Sequence, residues 1–248
     1  IARLTGETAL LAVLLSYMLK FDGRFILQVQ GDGILKMLLA DVTSDGEVRA
    51  CASFDQDAVK DDMTLMEMIG KGHMAFTVDQ GAHTDRYQGI VELKGESLVD
   101  CVQHYFNQSE QIMTGLTVAV EKIENQWHGG AVMVQHMPPE GGHDAATSAS
   151  NVEEDDWRRA MVLLGSCTDE ELLDESLSLM DLLFRLFHEE GIRVYDRQDL
   201  KKGCRCTPGR VENILATMSD QDRKDMIVDD KIIMTCEFCS KDFVFDAD

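Results

Sequence analysis

The chain has 248 residues, of which 44% are hydrophobic, and its formal net charge is −22. This size and composition fit a soluble globular protein with one large domain, or one domain with a small appended unit. Proteins that bind phosphate backbones or anionic membranes do so through an excess of clustered Lys and Arg residues, which this acidic chain lacks. Neither nucleic acid nor a membrane is therefore an expected partner. The longest apolar stretch, Ala9 to Leu19, is too short to cross a bilayer.

The cysteine content indicates a reducing compartment. Seven cysteines are an odd number, and three of them are scattered, which is unlike a secreted disulfide framework. No basic segment followed by a cleavable apolar stretch is visible, so we expect a cytoplasmic protein. Because the chain begins with Ile1 inside a helical pattern, we also expect that an N-terminal piece is missing.

The first part of the chain predicts one buried helix followed by strands. The helix covers TGETALLAVLLSYMLK, which Thr5 would cap. Seven short strand-like segments follow, several with alternating apolar residues, and turns containing Gly or Asp separate them. These spacings favour antiparallel hairpins over βαβ units. The segments are RFILQVQ, ILKMLLADV, EVRACASF, HMAFTVD, RYQGIVEL, LTVAVEKI and AVMVQHM.

A second helix, SLVDCVQHYFNQSEQI, is predicted between the strands. Its apolar residues recur at helical spacing and share one face. They are Leu98, Cys101, Val102, Tyr105 and Phe106. We therefore predict an α+β fold for 1–145, with an antiparallel-sheet core and packed helices.

A helical linker, 146–194, is predicted after the Pro- and Gly-containing segment PPEGGHDAATSAS. Twelve acidic and three basic residues fall between Asn151 and Glu190. One helix is predicted from Thr168, in a capping box with Glu171, to Gly191. Its apolar stripe needs a surface to cover it. The stripe contains Leu172, Leu173, Leu177, Met180, Leu183, Leu186 and Phe187.

The third predicted unit, 195–248, is a small C-terminal zinc domain. It has a helix around RVENILATM, a second helix after Ser219 and a hairpin in KIIMTCEFCSKDFVF. A unit of roughly fifty residues often needs a metal or disulfides in order to fold alone.

Two cysteine pairs supply the metal ligands that this unit needs. A C-x-C pair and a C-x-x-C pair, separated by 29 residues, can complete a tetrahedron of thiolates round one zinc ion. The second pair lies between two strand-like runs, where a turn can aim both sulfurs the same way. The predicted ligands are Cys204, Cys206, Cys236 and Cys239.

Four basic residues accompany the first pair: Lys201, Lys202, Arg205 and Arg210. Positive charge favours thiolate over thiol and so promotes reaction with an oxidant. The same charge also compensates the negative charge of a zinc–tetrathiolate centre. The sequence is compatible with both roles.

The remaining candidate residues predict no catalysis. Cys51, Cys101 and Cys167 lie among apolar or small neighbours and are interpreted as core cysteines. No histidine spacing, phosphate loop or activated nucleophile stands out, so we predict no catalytic residue and no enzyme activity.

The order C-x-C, about thirty residues and C-x-x-C resembles the heat shock protein 33 family of redox-regulated bacterial chaperones. Further stretches resemble the same family across nearly the whole chain: LKFDGRFILQVQGDG, RYQGIVELKGESL, YFNQSEQI and FRLFHEEGIRVYDRQDLKKGCRC. Family members have additional residues before the position of Ile1 and usually run on after DFVFDAD, so both ends are expected to be shortened here.

The resemblance implies a redox-switched holdase. The reduced chain would bind one zinc ion and be inactive. Oxidation would form the disulfides Cys204–Cys206 and Cys236–Cys239, release zinc, unfold the linker and allow homodimerisation. Unfolded or aggregation-prone client proteins would then be held without ATP.

Two alternatives compete with this interpretation. A thiol–disulfide oxidoreductase could use Cys236 and Cys239, but its C-x-x-C usually opens a helix in a βαβ context. A zinc-ribbon protein that binds nucleic acid is supported only by the basic residues 201–210, and the net charge opposes it.

Overall fold

The computed structural model describes most of the chain, and the first half forms an α+β core. The described residues are 1–19, 21–81, 86–137, 149–191, 193 and 197–246, with the backbone alone for 149–153. The core helices are α1 (Ala2–Ser16), α2 (Leu65–Ile69) and α3 (Leu98–Tyr105). The core strands are β1 (Arg24–Gly31), β2 (Leu35–Thr43), β3 (Glu47–Phe54), β4 (Gly72–Asp79), β5 (Tyr87–Glu92), β6 (Thr114–Ile123) and β7 (Gln126–Gln135).

All seven predicted strands are present, and their antiparallel pairing is confirmed. The main sheet has the order β5-β4-β1-β2-β3-β8, in which only the two-residue strand β8 (Lys201–Lys202) runs parallel to its neighbour. The central strand β1 alternates strictly, so Phe25, Leu27 and Val29 point into the core. Strands β6 and β7 form a separate hairpin.

Helix α1 occupies the space between the main sheet and the β6–β7 hairpin, where Leu11 and Ala12 are completely buried. The predicted cap is wrong, because the helix begins at Ala2 and Thr5 lies inside it. The Thr5 hydroxyl donates a hydrogen bond to the Ile1 carbonyl oxygen at 3.1 Å. Ala2, Arg3 and Leu4 are good helix formers, which explains the earlier start.

Helix α3 buries the predicted apolar face. It is shorter than predicted, because a π-helical turn, Phe106–Glu110, follows it directly. Gln111 then adopts a positive φ of 55° and ends the helix. This π turn directs the chain back toward β6.

The acidic segment forms three helices, two of them in the range predicted as a single helix. They are α4 (Ala149–Gly165), α5 (Asp169–Leu173) and α6 (Leu179–Phe187). The Thr168–Glu171 capping box is present, but the prediction of one helix from Thr168 to Gly191 is wrong. Asp174 turns the chain by accepting a hydrogen bond from the Ser176 N–H at 2.8 Å. Ser178 then caps α6 as a new N-terminus. Most of the preceding Pro- and Gly-containing segment, 138–148, lies outside the described residues.

The three acidic helices bury only part of their apolar side chains against the β6–β7 hairpin. A second hydrophobic cluster joins Val132 of the hairpin to Leu164, Cys167, Leu182 and Leu186. Leu179, Met180 and Phe184, in contrast, remain exposed. None of the helices that the structure describes is long and apolar enough to cross a membrane.

The C-terminal unit has the predicted helices and hairpin. It contains β8, α7 (Pro208–Thr217), α8 (Asp220–Asp225), β9 (Ile227–Val228), β10 (Lys231–Thr235) and β11 (Asp242–Asp246). Ser219 caps α8, and β10 pairs with β11. Within the described residues, its hydrophobic cluster has four buried members: Val211, Leu215, Ile232 and Phe243.

Candidate metal centre

The four cysteines predicted as ligands lie together at one end of the C-terminal unit. Cys204 and Cys206 follow β8 in a segment without regular secondary structure, whereas Cys236 and Cys239 occupy the turn between β10 and β11. Their sulfur atoms all lie within 4.8 Å of one another. Two segments that are distant in sequence therefore meet at one cluster of donors.

The turn that carries the second pair is shaped by backbone hydrogen bonds. The Cys236 N–H donates to the Lys241 carbonyl oxygen at 2.9 Å, and the Ser240 N–H donates to the Cys236 carbonyl oxygen at 2.8 Å. Ser240 takes a positive φ of 54°, which closes the turn. Both sulfurs of the C-x-x-C pair consequently face the first pair, as the sequence predicts.

The first pair is held by the start of α7. The Thr207 side chain accepts a hydrogen bond from the Arg210 N–H at 3.3 Å, and Pro208 occupies the first turn of the helix. Proline at this position cannot extend the helix backward. Cys204 and Cys206 therefore lie before the helix, outside regular secondary structure, and both sulfurs reach the same cluster.

The spacing of the sulfur atoms fits a tetrahedral metal site. The Sγ–Sγ distances are 3.3 Å for Cys204–Cys206, 3.6 Å for Cys204–Cys236 and 3.4 Å for Cys206–Cys239. Four sulfurs at about 2.3 Å from one zinc ion would lie about 3.8 Å apart. All four thiols are free in the structure. The donor set could bind a metal ion and is compatible with zinc.

The cluster also makes its thiols unequal in acidity. Burial raises the pKa of the Cys204 thiol, but hydrogen bonds from the Cys206 backbone and from the other three thiols outweigh it and lower the pKa to about 6. Hydrogen bonding to Cys204 raises the pKa of the Cys206 thiol to about 12. Cys204 is thus the first thiol of this pair to become a thiolate, the form that binds metal or attacks an oxidant.

A buried carboxylate joins the centre to the core sheet. Arg205, between the first two cysteines, donates to both oxygens of Asp41, with Nη2 to Oδ1 at 2.6 Å. Asp41 lies on β2 and is 2% exposed. Arg49 of β3 donates to the same carboxylate through Nε at 2.9 Å and Nη2 at 2.7 Å. We call these three residues the Asp41 clamp.

Further contacts of β3 support the clamp. The guanidinium carbon of Arg49 lies 3.9 Å from the ring centroid of Phe238, which sits between the two turn cysteines. Burial lowers the pKa of Arg49, but hydrogen bonds to Asp41 and to the Cys204 sulfur produce a net rise. Strand β8 pairs with Glu47 and Val48 of β3. The centre is therefore in direct contact with the main sheet.

Three of the four basic residues near the first pair form or support the contact between the C-terminal unit and the main sheet. Lys201 pairs with Glu47 at 3.5 Å, Arg205 belongs to the Asp41 clamp, and Arg210 donates to the Arg205 carbonyl oxygen at 2.8 Å. Arg49, which no sequence pattern indicated, is a further cation beside Cys204. One signal for the clamp was available: Asp41 interrupts an apolar strand, where a charge requires a partner.

The scattered cysteines are buried, as predicted for core residues. Burial raises the pKa of all three thiols, and for Cys51 the value reaches about 11. Cys51 also lies near Glu237 of the turn between β10 and β11, whose negative charge contributes to this rise. Cys51, Cys101 and Cys167 are therefore poor nucleophiles in the folded chain.

These features define a class of protein: an α+β core with a small tetrathiol unit docked on its sheet. The chain belongs to the Hsp33 family, since the family described as "Hsp33 protein" matches residues 1–246. The predicted resemblance is confirmed. A relative from Caulobacter vibrioides named "33 kDa chaperonin" is 34% identical over 257 residues, covering 99% of this chain and 83% of the relative. A 33 kDa chaperonin from Pseudomonas fluorescens is 34% identical over 249 residues, covering 100% and 79%.

A solved structure supports the fold. The crystal structure of the 33 kDa chaperonin from Thermotoga maritima superposes with a TM-score of 0.80 at 20% identity, covering 98% of this chain and 81% of that one. The predicted α+β class with antiparallel sheets is confirmed. The family and the names of the relatives support a chaperone and suggest a protein that is not an enzyme.

Proposed function

We propose that this chain is a redox-regulated, ATP-independent holdase chaperone whose reduced, zinc-bound form is inactive. The observation that carries the proposal is the cluster of four free thiols, within 4.8 Å of one another, that joins the two halves of a unit with a very small core. Membership of the Hsp33 family and relatives named 33 kDa chaperonin support the chaperone assignment. The proposed ligands are Cys204, Cys206, Cys236 and Cys239, with one zinc ion per chain.

The switch that we propose is oxidation of these thiols to the disulfides Cys204–Cys206 and Cys236–Cys239. Each disulfide forms from two thiolates that give up two electrons, and one peroxide molecule accepts these electrons, with two protons from solvent, as it is reduced to two waters. When bound, zinc would hold thiolates of both segments together and so stabilise the unit. Oxidation removes the four thiolate ligands.

Client binding would follow from loss of the linker. We propose a core domain at 1–145, a metastable linker at 146–194 and a redox-switch domain at 195–248. Release of the linker would uncover apolar side chains of the hairpin, such as Val132, and of the linker itself, such as Leu182 and Leu186. Unfolded proteins would bind this surface, and the active form would be a homodimer in the cytoplasm, without nucleic acid or membrane as partner.

The geometry disfavours the competing oxidoreductase. In such an enzyme the reactive C-x-x-C opens a helix, whose N-terminus stabilises the thiolate. Here Cys236 and Cys239 occupy the turn between two antiparallel strands.

One experiment on zinc, thiols and chaperone activity tests the proposal. The reduced chain should contain one zinc ion, and peroxide with mild heat should release it with loss of four of the seven thiols. Only the oxidised chain should suppress aggregation of a chemically denatured enzyme. Cys236→Ser should abolish tight zinc binding, whereas the matched variant Cys167→Ser should retain it. Equal suppression by reduced and oxidised protein, or full zinc content in Cys236→Ser, would contradict the proposal.

A further inference from the structure

Helix α4 packs against the β6–β7 hairpin through a methionine. Met161 belongs to the hydrophobic cluster that joins the acidic helices to the hairpin, in which Val132 and Leu164 are buried. Its sulfur and its terminal methyl group lie over Gly115 of β6, where an added Cβ would be only 2.5 Å from each of them. The thioether therefore fills the space that the glycine leaves on the strand.

The sulfur of Met161 is also within reach of solvent, because the side chain is only partly buried. Met74, in contrast, is completely buried in the core, where an oxidant has no access. Met180 of α6 is 48% exposed and, among the described residues, lies outside the cluster, so that an oxygen atom on its sulfur would be hydrated. Met161 thus combines access from solvent with an apolar contact between two elements.

Oxidation of Met161 would place an oxygen atom in this apolar contact. A hypohalous acid, such as hypochlorous acid, takes two electrons from a thioether: the sulfur gains the oxygen atom, and the acid ends as chloride and a proton. The product, methionine sulfoxide, is polar, and methionine sulfoxide reductases convert it back to the thioether. Reagents that reduce disulfides leave it in place, so its state is independent of the thiols.

The cluster loses contacts wherever the oxygen atom points. Its other members near the hairpin, Val132, Val134 and Leu164, are apolar, and a buried acceptor without a donor destabilises the packed state. If the sulfoxide turned to water instead, the space over Gly115 would be left empty. Both arrangements weaken a cluster that, among the described residues, has five buried members, in contrast to 24 in the core.

We propose that Met161 is a second oxidation site, whose sulfoxide releases the acidic helices from the hairpin while the four clustered thiols stay reduced. This inference rests on the proposed function, to which it adds a second regulatory input on the linker. In the fully reduced chain the helices stay docked and the protein stays inactive. An oxidant that attacks thioethers releases them without any change at the metal site, and a methionine sulfoxide reductase reverses the release.

Oxidation by hypochlorous acid followed by repair of the thiols tests the proposal. The zinc-loaded chain is oxidised, and dithiothreitol and zinc are then added until all seven thiols are recovered. Mass spectrometry measures the sulfoxide at Met161, and hydrogen exchange is followed in 154–165 of α4. Exchange should be about tenfold faster than in the untreated chain, since a buried unpaired acceptor shifts an equilibrium by about that factor. Methionine sulfoxide reductases should restore slow exchange.

Two matched variants locate the site. Met161→Leu keeps the volume and the apolar contact but forms no sulfoxide, so the same treatment should leave exchange in 154–165 unchanged. Met180→Leu removes the exposed methionine of α6 and should respond as the wild-type chain does. Equal acceleration in Met161→Leu and in the wild-type chain would overturn the proposal. So would slow exchange in a chain that carries the sulfoxide at Met161, or a Met161 that stays unoxidised while Met180 is oxidised.

A variant that resembles the sulfoxide tests the contact without any oxidant. Met161→Gln places a polar group of similar length over Gly115 and should give fast exchange of α4 in the fully reduced chain. Met180→Gln, at an exposed position, should exchange as the wild-type chain does. Slow exchange in Met161→Gln would show that the cluster tolerates a polar atom and would overturn the proposal.

These measurements are separate from the test of the proposed function. Fast exchange of α4 after thiol repair, without suppression of client aggregation, would support the oxidation site and contradict release of the linker as the cause of chaperone activity. Suppression of aggregation after thiol oxidation, with slow exchange in the chain that carries the Met161 sulfoxide, would support the proposed function and contradict the oxidation site.

Discussion

At the scale of single residues, Asp41 connects the metal centre to the core. It lies directly opposite Arg49 in the β2–β3 ladder, and Arg205 reaches the same carboxylate from the C-terminal unit. A buried carboxylate is tolerated only when it is paired, and two guanidinium groups pair it here. Because Arg205 lies between Cys204 and Cys206, any rearrangement of these cysteines also displaces the Asp41 clamp.

Removing the charge of Asp41 should therefore make the metal centre more reactive. Asp41→Asn leaves two largely buried guanidinium groups without their anion. This should weaken the contact between the C-terminal unit and the main sheet by roughly 3 kcal/mol. We expect faster hydrogen exchange in 201–206 and faster loss of thiols to peroxide, measured by mass spectrometry on the zinc-loaded chain.

The matched control is Asp79→Asn. Asp79 is also buried and ion-paired, to Arg24 and Arg86, but it lies at the end of β4. This variant should destabilise the sheet without accelerating thiol oxidation. If Asp41→Asn oxidised at the wild-type rate, the clamp would have no part in protecting the cysteines.

The sequence predicts the four clustered cysteines but not the Asp41 clamp. The four thiols were predictable because each pair is local and the chemistry of thiolates is specific. The Asp41–Arg205 contact was not, since it joins residues 164 positions apart. No local pattern indicates which of the many arginines and acidic residues will meet across a domain boundary.

At the scale of elements, the core strands were predictable and the acidic segment was only partly so. Alternation with a period of two is a strong signal, as Phe25, Leu27 and Val29 of β1 show. Leucines are so frequent in the acidic segment that they fit a helix in any register. An Asx turn at Asp174 and a cap at Ser178 interrupt this pattern and divide the predicted helix into α5 and α6.

Two glycines of the β6–β7 hairpin lie where the acidic helices pack most closely against it. An added Cβ at Gly130 would overlap the backbone carbonyl of Leu172 in α5. At Gly115 it would lie 2.5 Å from Met161 of α4 and 2.9 Å from Leu164. The first contact is with backbone, which cannot move without displacing the helix. Gly130 is therefore the position at which docking of α5 depends most directly on the absence of a side chain.

We expect Gly130→Ala to release the acidic helices while the metal centre stays reduced. Overpacking of this kind costs about 1–3 kcal/mol, and moving α5 also opens the small cluster around Leu182 and Leu186. The reduced, zinc-loaded variant should show faster hydrogen exchange in 169–187. If the linker restrains chaperone activity, it should also suppress client aggregation without oxidation.

Gly165→Ala is the matched control, because an added Cβ at Gly165, the last residue of α4, meets nothing within 4 Å. It should resemble the wild-type chain in both measurements. Wild-type exchange and no suppression in Gly130→Ala would show that the close approach of α5 to Gly130 does not hold the linker in place.

At the scale of the whole molecule, the described chain has one large core and two small ones. The hydrophobic cluster of the core has 24 buried residues, that of the acidic helices has five, and that of the C-terminal unit has four. Burial of apolar area supplies most folding free energy, so stability should fall in the same order. We therefore expect the smallest unit to depend on the proposed metal site, and the acidic helices have few buried side chains of their own.

Removal of the metal should therefore unfold the C-terminal unit and leave the core intact. Structural zinc contributes about 10–16 kcal/mol in zinc-finger peptides, which is comparable to the stability of a whole domain. A strong chelator should give 206–246 the exchange rates of an unfolded peptide, while β1, β2 and β4 keep their protection. The same chelator saturated with zinc should have no effect on either region. If 206–246 kept its protection after complete metal removal, its four buried side chains would suffice to fold it, and loss of thiolate ligands could not act as the switch.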